Sequence, residues 1–207
     1  MVTGSPGPAP HDLLQLQNLT GTDWAHLPAW AQESLRWARW VVRRRATPRT
    51  GSIPVGIRGC QRNQRHAWWI PVEYVHRVVS PWELVQPLAT YESTYVVVRT
   101  ARTVSALMSD QRLRWGPTGS LGFALASGRV AIRPESDLDV LIDAPTELPR
   151  ERARELTRHF ERLECAVDAQ LRTPTGEVSL LEWGSTTGRD LLVRTESGPM
   201  LTANPWH

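Results

Sequence analysis

The sequence predicts an α+β protein in two domains: a smaller α+β N-terminal domain and a C-terminal domain with a mixed sheet and flanking helices. Three observations carry this. Apolar stripes at helical spacing alternate with short stretches of period two. Arginine density falls beyond Pro87, where the pattern also changes. DLDVLID at 137–143 alternates as a strand should, and a charged amphipathic helical pattern and a second β-type stretch follow it. The expected boundaries are a disordered lead at 1–10, an arginine-rich domain at 11–87 and a second domain at 88–207.

The elements follow in order. Residues 27–45 read as a helix: Pro28 suits a first turn, and Leu27, Trp30, Ala31, Leu35, Ala38 and Val42 recur at helical spacing. Pro48 and Gly51 end it. Residues 53–58 read as a strand, 59–65 as a polar loop and 67–72 as a second short strand. Pro81 opens a short helix that Pro87 closes. Residues 91–108 read as mostly helical, with a β-prone Tyr-Val-Val-Val at 95–98. A turn at 116–120 leads into a helical segment that Gly128 stops. After the strand at 137–143, Pro149 opens a helix to 163. Strands at 166–172 and 178–183 form a hairpin around Pro174-Thr-Gly176, and 190–194 is a last strand.

Composition excludes several classes. All 24 cations of this 207-residue chain are arginine. Without lysine there is no Schiff-base chemistry and no Walker-type loop, which needs a lysine on the phosphates. No apolar run approaches the roughly 18 residues that span a bilayer. The N-terminus lacks the cationic start and apolar stretch of a secretory signal, so a cytoplasmic chain is expected. Cys60 and Cys165 read as free thiols in a reducing compartment. The six histidines are scattered without zinc-ligand spacing.

Charge is unevenly placed. Between Glu33 and Glu73 lie nine arginines and no acid, so the remainder of the chain is net negative. Such asymmetry points to an anionic partner for the N-terminal part, or to a solvated basic face. Ten tryptophans invite a base-stacking reading. Most are expected in the core, and of the adjacent Trp68 and Trp69 one at most would face a ligand.

The chemistry concentrates in GPTGSLGFALASGRVAIRPESDLDVLID, residues 116–143. Gly119-Ser120 lies in a glycine-rich turn before a helix, where backbone N–H groups and a hydroxyl cradle phosphate. Asp137 and Asp139 are two apart on a strand, which puts both on one face with Cα atoms ~6.5–7 Å apart. Converging carboxylates of this kind hold Mg²⁺ against substrate phosphates. Asp168, in the next strand, would reach the same site as a third acid. The order turn-GS, helix, DxD strand, helix, acid strand is that of nucleotidyltransferases.

The wording is closer still. WGPTGSLGFALASG, ESDLDVLI, VDAQL and LLEW, with PHDLL and VGIRGCQRNQRHAWWIP in the N-terminal part, resemble the malonate decarboxylase holo-acyl-carrier-protein synthase family, or phosphoribosyl-dephospho-CoA transferases. The resemblance covers about residues 10–207. It implies transfer of the phosphoribosyl-dephospho-CoA group from 2′-(5″-triphosphoribosyl)-3′-dephospho-CoA to a serine of the apo acyl-carrier subunit of malonate decarboxylase, with release of pyrophosphate. The nucleophile then belongs to the partner, which suits a chain without lysine.

Roles follow on matching positions. Asp137 and Asp139 would bind the divalent metal, Mg²⁺ with Mn²⁺ as a substitute. Asp168 would complete that site or act as base toward the serine. Gly119 and Ser120 would hold the β- and γ-phosphates. Arg58, Arg62 and Arg65 are candidates for the triphosphate or the CoA-side phosphates, because guanidinium forks suit phosphate oxygens. The expected partners are the carrier subunit and the triphosphoribosyl-dephospho-CoA, with no membrane and no nucleic acid. The arginines at 43–45 would dock an acidic carrier. Two other readings share some of these features: a nucleotidyltransferase with another acceptor, and a non-catalytic arginine-rich nucleic-acid-binding module.

Overall fold

The computed structural model describes residues 7–20, 23–47, 49–61, 63–186 and 188–207. Pro48, Arg62 and most of the expected disordered lead fall outside them. The chain divides into two compact units, Met1–Ser80 and Pro81–His207. The segment 81–87, read above with the first domain, belongs to the second unit. The architecture is α+β.

The first unit contains β1 (Leu13–Leu16), α1 (Ala29–Trp37), β2 (Trp40–Arg43), β3 (Ser52–Arg58), β4 (Arg65–Pro71) and β5 (Val75–Val79). Its strands form an antiparallel sheet in the order β4-β3-β2-β1-β5. Leu14, Leu16, Val41, Val55, Ile57 and Ile70 of the sheet bury against Ala31 and Leu35 of α1. The helix expected over 27–45 is therefore shorter. It stops at Trp37, where Ala38 turns extended (φ −149°), and Trp40-Val-Val-Arg43 becomes a strand. The β-branched pair outweighs the helical spacing because β1 and β3 supply ladders on both sides, Leu13 facing Val42 and Val42 facing Gly56.

This has a consequence for the basic stretch. Arg43 is only 8% exposed, so it is part of the fold and not of an open docking face. Arg44 and Arg49 stack on Trp69, with guanidinium carbons 5.5 and 4.1 Å from a ring centroid. Trp68, its neighbour, points into the core.

Asp23 ties two distant segments of this unit together. Its carboxylate accepts the Thr20 backbone N–H (2.6 Å), the Thr20 hydroxyl (2.8 Å) and the Tyr74 hydroxyl (3.0 Å). The Thr20 N–H above all holds the Asp23 carboxyl below its ordinary 3.8. A depressed carboxylate stabilises the fold above the unfolded value and loses that contribution as pH falls through the folded one. The Tm gap between wild type and Asp23→Asn is thus expected to be open at neutral pH and to close as pH falls below 3.8. A gap that stays constant with pH would remove the carboxylate from the account.

The second unit contains α2 (Val85–Thr90), α3 (Val96–Asp110), β6 (Trp115–Pro117), α4 (Gly119–Ser127), β7 (Leu138–Asp143), α5 (Arg150–Phe160), β8 (Val167–Arg172), β9 (Glu177–Ser179), α6 (Leu180–Ser185), β10 (Leu191–Thr195) and β11 (Gly198–Thr202). A 3-10 turn, Pro81–Leu84, precedes α2. Pro87 sits in the first turn of α2 instead of ending a helix, where its missing N–H costs nothing. The returning strand expected at 178–183 stops at Ser179, whose hydroxyl accepts the Glu182 N–H and caps α6.

The strands make one mixed sheet in the order β11-β10-β9-β8-β7-β6, in which only β7 and β8 run parallel. Leu138, Val140 and Ile142 of β7 and Ala169 and Leu171 of β8 enter one core with Val97, Ala101 and Val104 of α3 and Leu156 and Phe160 of α5. The alternate side chains of β7 and β8 lie on the opposite face. Among the described residues no helix is long and apolar enough to cross a membrane.

Candidate active site

The face of the second sheet opposite the α3 and α5 residues carries the sequence's acids, because the strand period is two. Asp139 on β7 and Asp168 on β8 are in-register partners. Neighbouring strands lie about 4.8 Å apart, so the two residues stand side by side on one face. Like charges directly opposite one another on a sheet destabilise it. This pair, 29 positions apart in the chain, is kept despite that cost.

The start of α4 closes one side. The Thr118 N–H donates to the Asp139 carbonyl at 2.9 Å, which extends the β6–β7 ladder to the residue before the helix. Gly119, the first residue of α4, has φ +61°. A Cβ there would stand 1.7 Å from Asp139 Oδ2 and 2.7 Å from its Cγ. Glycine is required twice over, for the left-handed backbone and for the carboxylate pressed against it. Thr118 provides no side-chain cap, so the first-turn N–H groups of α4, Ser120 among them, are free of that competitor. Gly119-Ser120 thus opens the helix itself, where the sequence placed it in the turn before.

Asp168 is exposed. Its carboxylate accepts from Gln170 Nε2 (2.8 Å), and Gln170 Oε1 accepts from Arg194 Nη1 (2.7 Å). This relay orients Asp168 from β10. Gln170 was readable in the sequence, two residues along the same strand face; Arg194 was not, since the hairpin at 166–183 was legible but nothing local signals that β10 pairs with β9. An open groove of about 600 Å³ adjoins Asp168, walled by Phe160, Leu163, Cys165, Val167, Leu180 and Leu181.

The remaining candidates sit elsewhere. Asp137 is exposed and lies one residue before β7, outside its ladder with β8. Among the described residues no group of three or more His, Cys, Asp or Glu is placed to hold a metal. Asp139 and Asp168 are register partners, and Asp137 lies two residues before Asp139, at the edge of that ladder. In the first unit, Arg58 and Arg65 face each other across the β3–β4 hairpin; Arg62 lies outside the described residues.

The comparisons bear on this geometry. The family model of the phosphoribosyl-dephospho-CoA transferase MdcG C-terminal domain matches residues 83–205, and that of the MdcG N-terminal domain matches 9–81. The chain belongs to the MdcG phosphoribosyl-dephospho-CoA transferase family. A phosphoribosyl-dephospho-CoA transferase of Azotobacter vinelandii is 40% identical over 203 residues, covering 96% of this chain and 94% of the relative. Those of Pseudomonas aeruginosa (38%; 97% and 94%) and Klebsiella pneumoniae (39%; 98% and 98%) are similar to it over as much of their length. No solved structure matches the chain. As an MdcG-family member it is a transferase, and the α4 terminus with the Asp139–Asp168 pair falls within the C-terminal domain match.

Proposed function

We propose that the protein transfers the phosphoribosyl-dephospho-CoA group from 2′-(5″-triphosphoribosyl)-3′-dephospho-CoA to a serine of the apo acyl-carrier subunit of malonate decarboxylase. The serine oxygen bonds to the α-phosphorus, the α–β phosphoanhydride bond breaks, and pyrophosphate leaves. The observation that carries this is the register pair Asp139–Asp168 beside the glycine-opened terminus of α4, in a chain whose relatives bear the transferase name. The order of helix start, acid strand and acid strand supports a nucleotidyltransferase-like fold for this unit.

The residues divide the work. The N–H groups at Gly119 and Ser120, with the Ser120 hydroxyl, bind the β- and γ-phosphates at the positive end of the α4 dipole. Asp168, exposed and oriented by Gln170, takes the serine proton or shares a cation with Asp139. Two neighbouring carboxylates, costly as a like-charge pair, fit Mg²⁺ or Mn²⁺, which one or two carboxylates plus substrate phosphates hold. When bound, that ion supplies charge neutralisation at the triphosphate. Asp137, two residues from Asp139, is the outer member of this set. Arg58 and Arg65, register partners across the β3–β4 hairpin, present guanidinium donors to a phosphate group.

Intact mass of the apo carrier after incubation with the protein, the donor and Mg²⁺ tests the proposal. The expected result is a gain of one phosphoribosyl-dephospho-CoA group, lost on chelation. An unmodified carrier in the presence of folded protein would move the reaction to another acceptor.

A further inference from the structure

Beyond the acid pair, the same sheet face carries a second row of side chains with no assigned role. Arg114, just before β6, is hydrogen-bonded through its carbonyl to the Asp143 N–H, and Asp143 is the register partner of Arg172. Arg114, Asp143 and Arg172 therefore form a row across three neighbouring strands. The row runs parallel to that of Thr118, Asp139 and Asp168. Four residues of β7 separate the two, about 13 Å.

Above this second row lies Trp82. The Pro81 carbonyl packs over Gly116, where a Cβ would meet it at 2.0 Å, and so brings the 3-10 turn onto this face. The guanidinium carbons of Arg114 and Arg172 stand 5.0 and 5.3 Å from an indole centroid of Trp82. Asp143 pairs with both only at long range, 3.6 and 3.8 Å. Other arginines of this unit spend their donors within the fold. Arg99, Arg102, Arg150, Arg152 and Arg154 all donate to carbonyls. No such bond holds Arg114 or Arg172 among the described residues. The two guanidiniums lie beside one indole and give no hydrogen bond to a carbonyl among the described residues, and the row, continued by Glu177 on β9 and Arg194 on β10, holds three cations against two acids. Two oriented guanidiniums around one aromatic are a receptor for a diphosphate.

We infer that Arg114 and Arg172, backed by Trp82, bind the 5′-diphosphate of the dephospho-CoA half of the donor. The inference rests on the proposed function and extends it to recognition of the substrate's distal part. The donor holds a second diphosphate, the leaving β,γ pair, but that group is bonded directly to the reacting α-phosphorus. A subsite about 13 Å from the acid pair is too remote for it. The 5′-diphosphate is separated from the α-phosphate by two pentose rings, a span of this order.

The test compares wild type with Arg114→Gln, Arg172→Gln and Trp82→Phe, and with Arg162→Gln as a control for loss of one exposed surface charge. Two quantities are read at fixed ionic strength: the affinity for dephospho-CoA, which lacks the triphosphate, and inhibition of transfer by pyrophosphate. Each arginine variant is expected to weaken dephospho-CoA binding about tenfold or more, in line with loss of a charge-assisted hydrogen bond. Pyrophosphate inhibition should be unchanged, and Arg162→Gln should match wild type. The wild-type fluorescence change on adding dephospho-CoA should shrink in Trp82→Phe. Unaltered dephospho-CoA affinity in both arginine variants would overturn the inference while wild-type transfer left the proposed function standing. Loss of pyrophosphate inhibition instead would reassign the arginines to the leaving group, and so overturn it too. Absent transfer by wild type, with dephospho-CoA binding still dependent on the two arginines, would overturn the acceptor assignment and keep the subsite.

Discussion

Asp139→Asn is expected to abolish transfer, by about a thousandfold or more, while the protein keeps its fold. The side chains are isosteric, and Asp139 is hydrogen-bonded into the sheet through its backbone, which the change leaves alone. What is lost is the negative charge beside Asp168 and beside the first turn of α4. Losing a group that acts at the reacting phosphate lowers kcat, since its interactions strengthen toward the transition state. Mass-detected transfer, with circular dichroism and Tm as the fold check, would show this. Transfer within about tenfold of wild type by a folded variant would remove Asp139 from the site. Asp137→Asn, at an exposed position before the strand, is expected to cost less. Equal losses would place Asp137 on the same footing as Asp139.

Gly119→Ala is the second large effect, and it reaches the same carboxylate without changing a charge. The new Cβ would overlap Asp139 Oδ2, and φ +61° is a conformation alanine adopts at a cost. The carboxylate must swing away or the helix start must shift. Either outcome separates the first-turn N–H groups from the acid. A loss of transfer of about a hundredfold or more is expected, together with destabilisation of about 1–3 kcal/mol. Gly128→Ala is the matched control. Gly128 also has positive φ (+67°), but a Cβ there meets nothing within 4 Å. It should lose stability and keep activity. Comparable activity losses in the two variants would show that backbone strain, and not the contact with Asp139, is what matters.

Local pattern revealed the parts of this site that are local. DLDVLID alternates because one face of β7 enters the core, and that alternation placed Asp139 on the other face. The helix at 149–163 and the strand after it were legible for the same reason, and together they imply that Asp168 returns beside Asp139. The strand at 40–43 was hidden inside a helical stripe, since Ala38 and Val42 continue the helical spacing until β1 and β3 select the strand. β1 and β5 were missed because four or five residues between turns carry little periodicity. β11 was missed likewise, after a segment already read as the last strand. The Arg114–Asp143–Arg172 row was beyond sequence reasoning: its members are 29 residues apart at each step and meet only through two strand pairings.

The acids meet through the single parallel pairing of the second sheet, β7 with β8, and that pairing waits until α5 has been made and folded back. Closing so long a loop costs entropy before any contact repays it, so such pairings form late. Arg194, which holds Gln170 against Asp168, sits on β10, a strand synthesised later still. A nascent or partly refolded chain would thus have much of its helical content and no competent centre. In refolding, transfer activity should lag behind the far-ultraviolet signal.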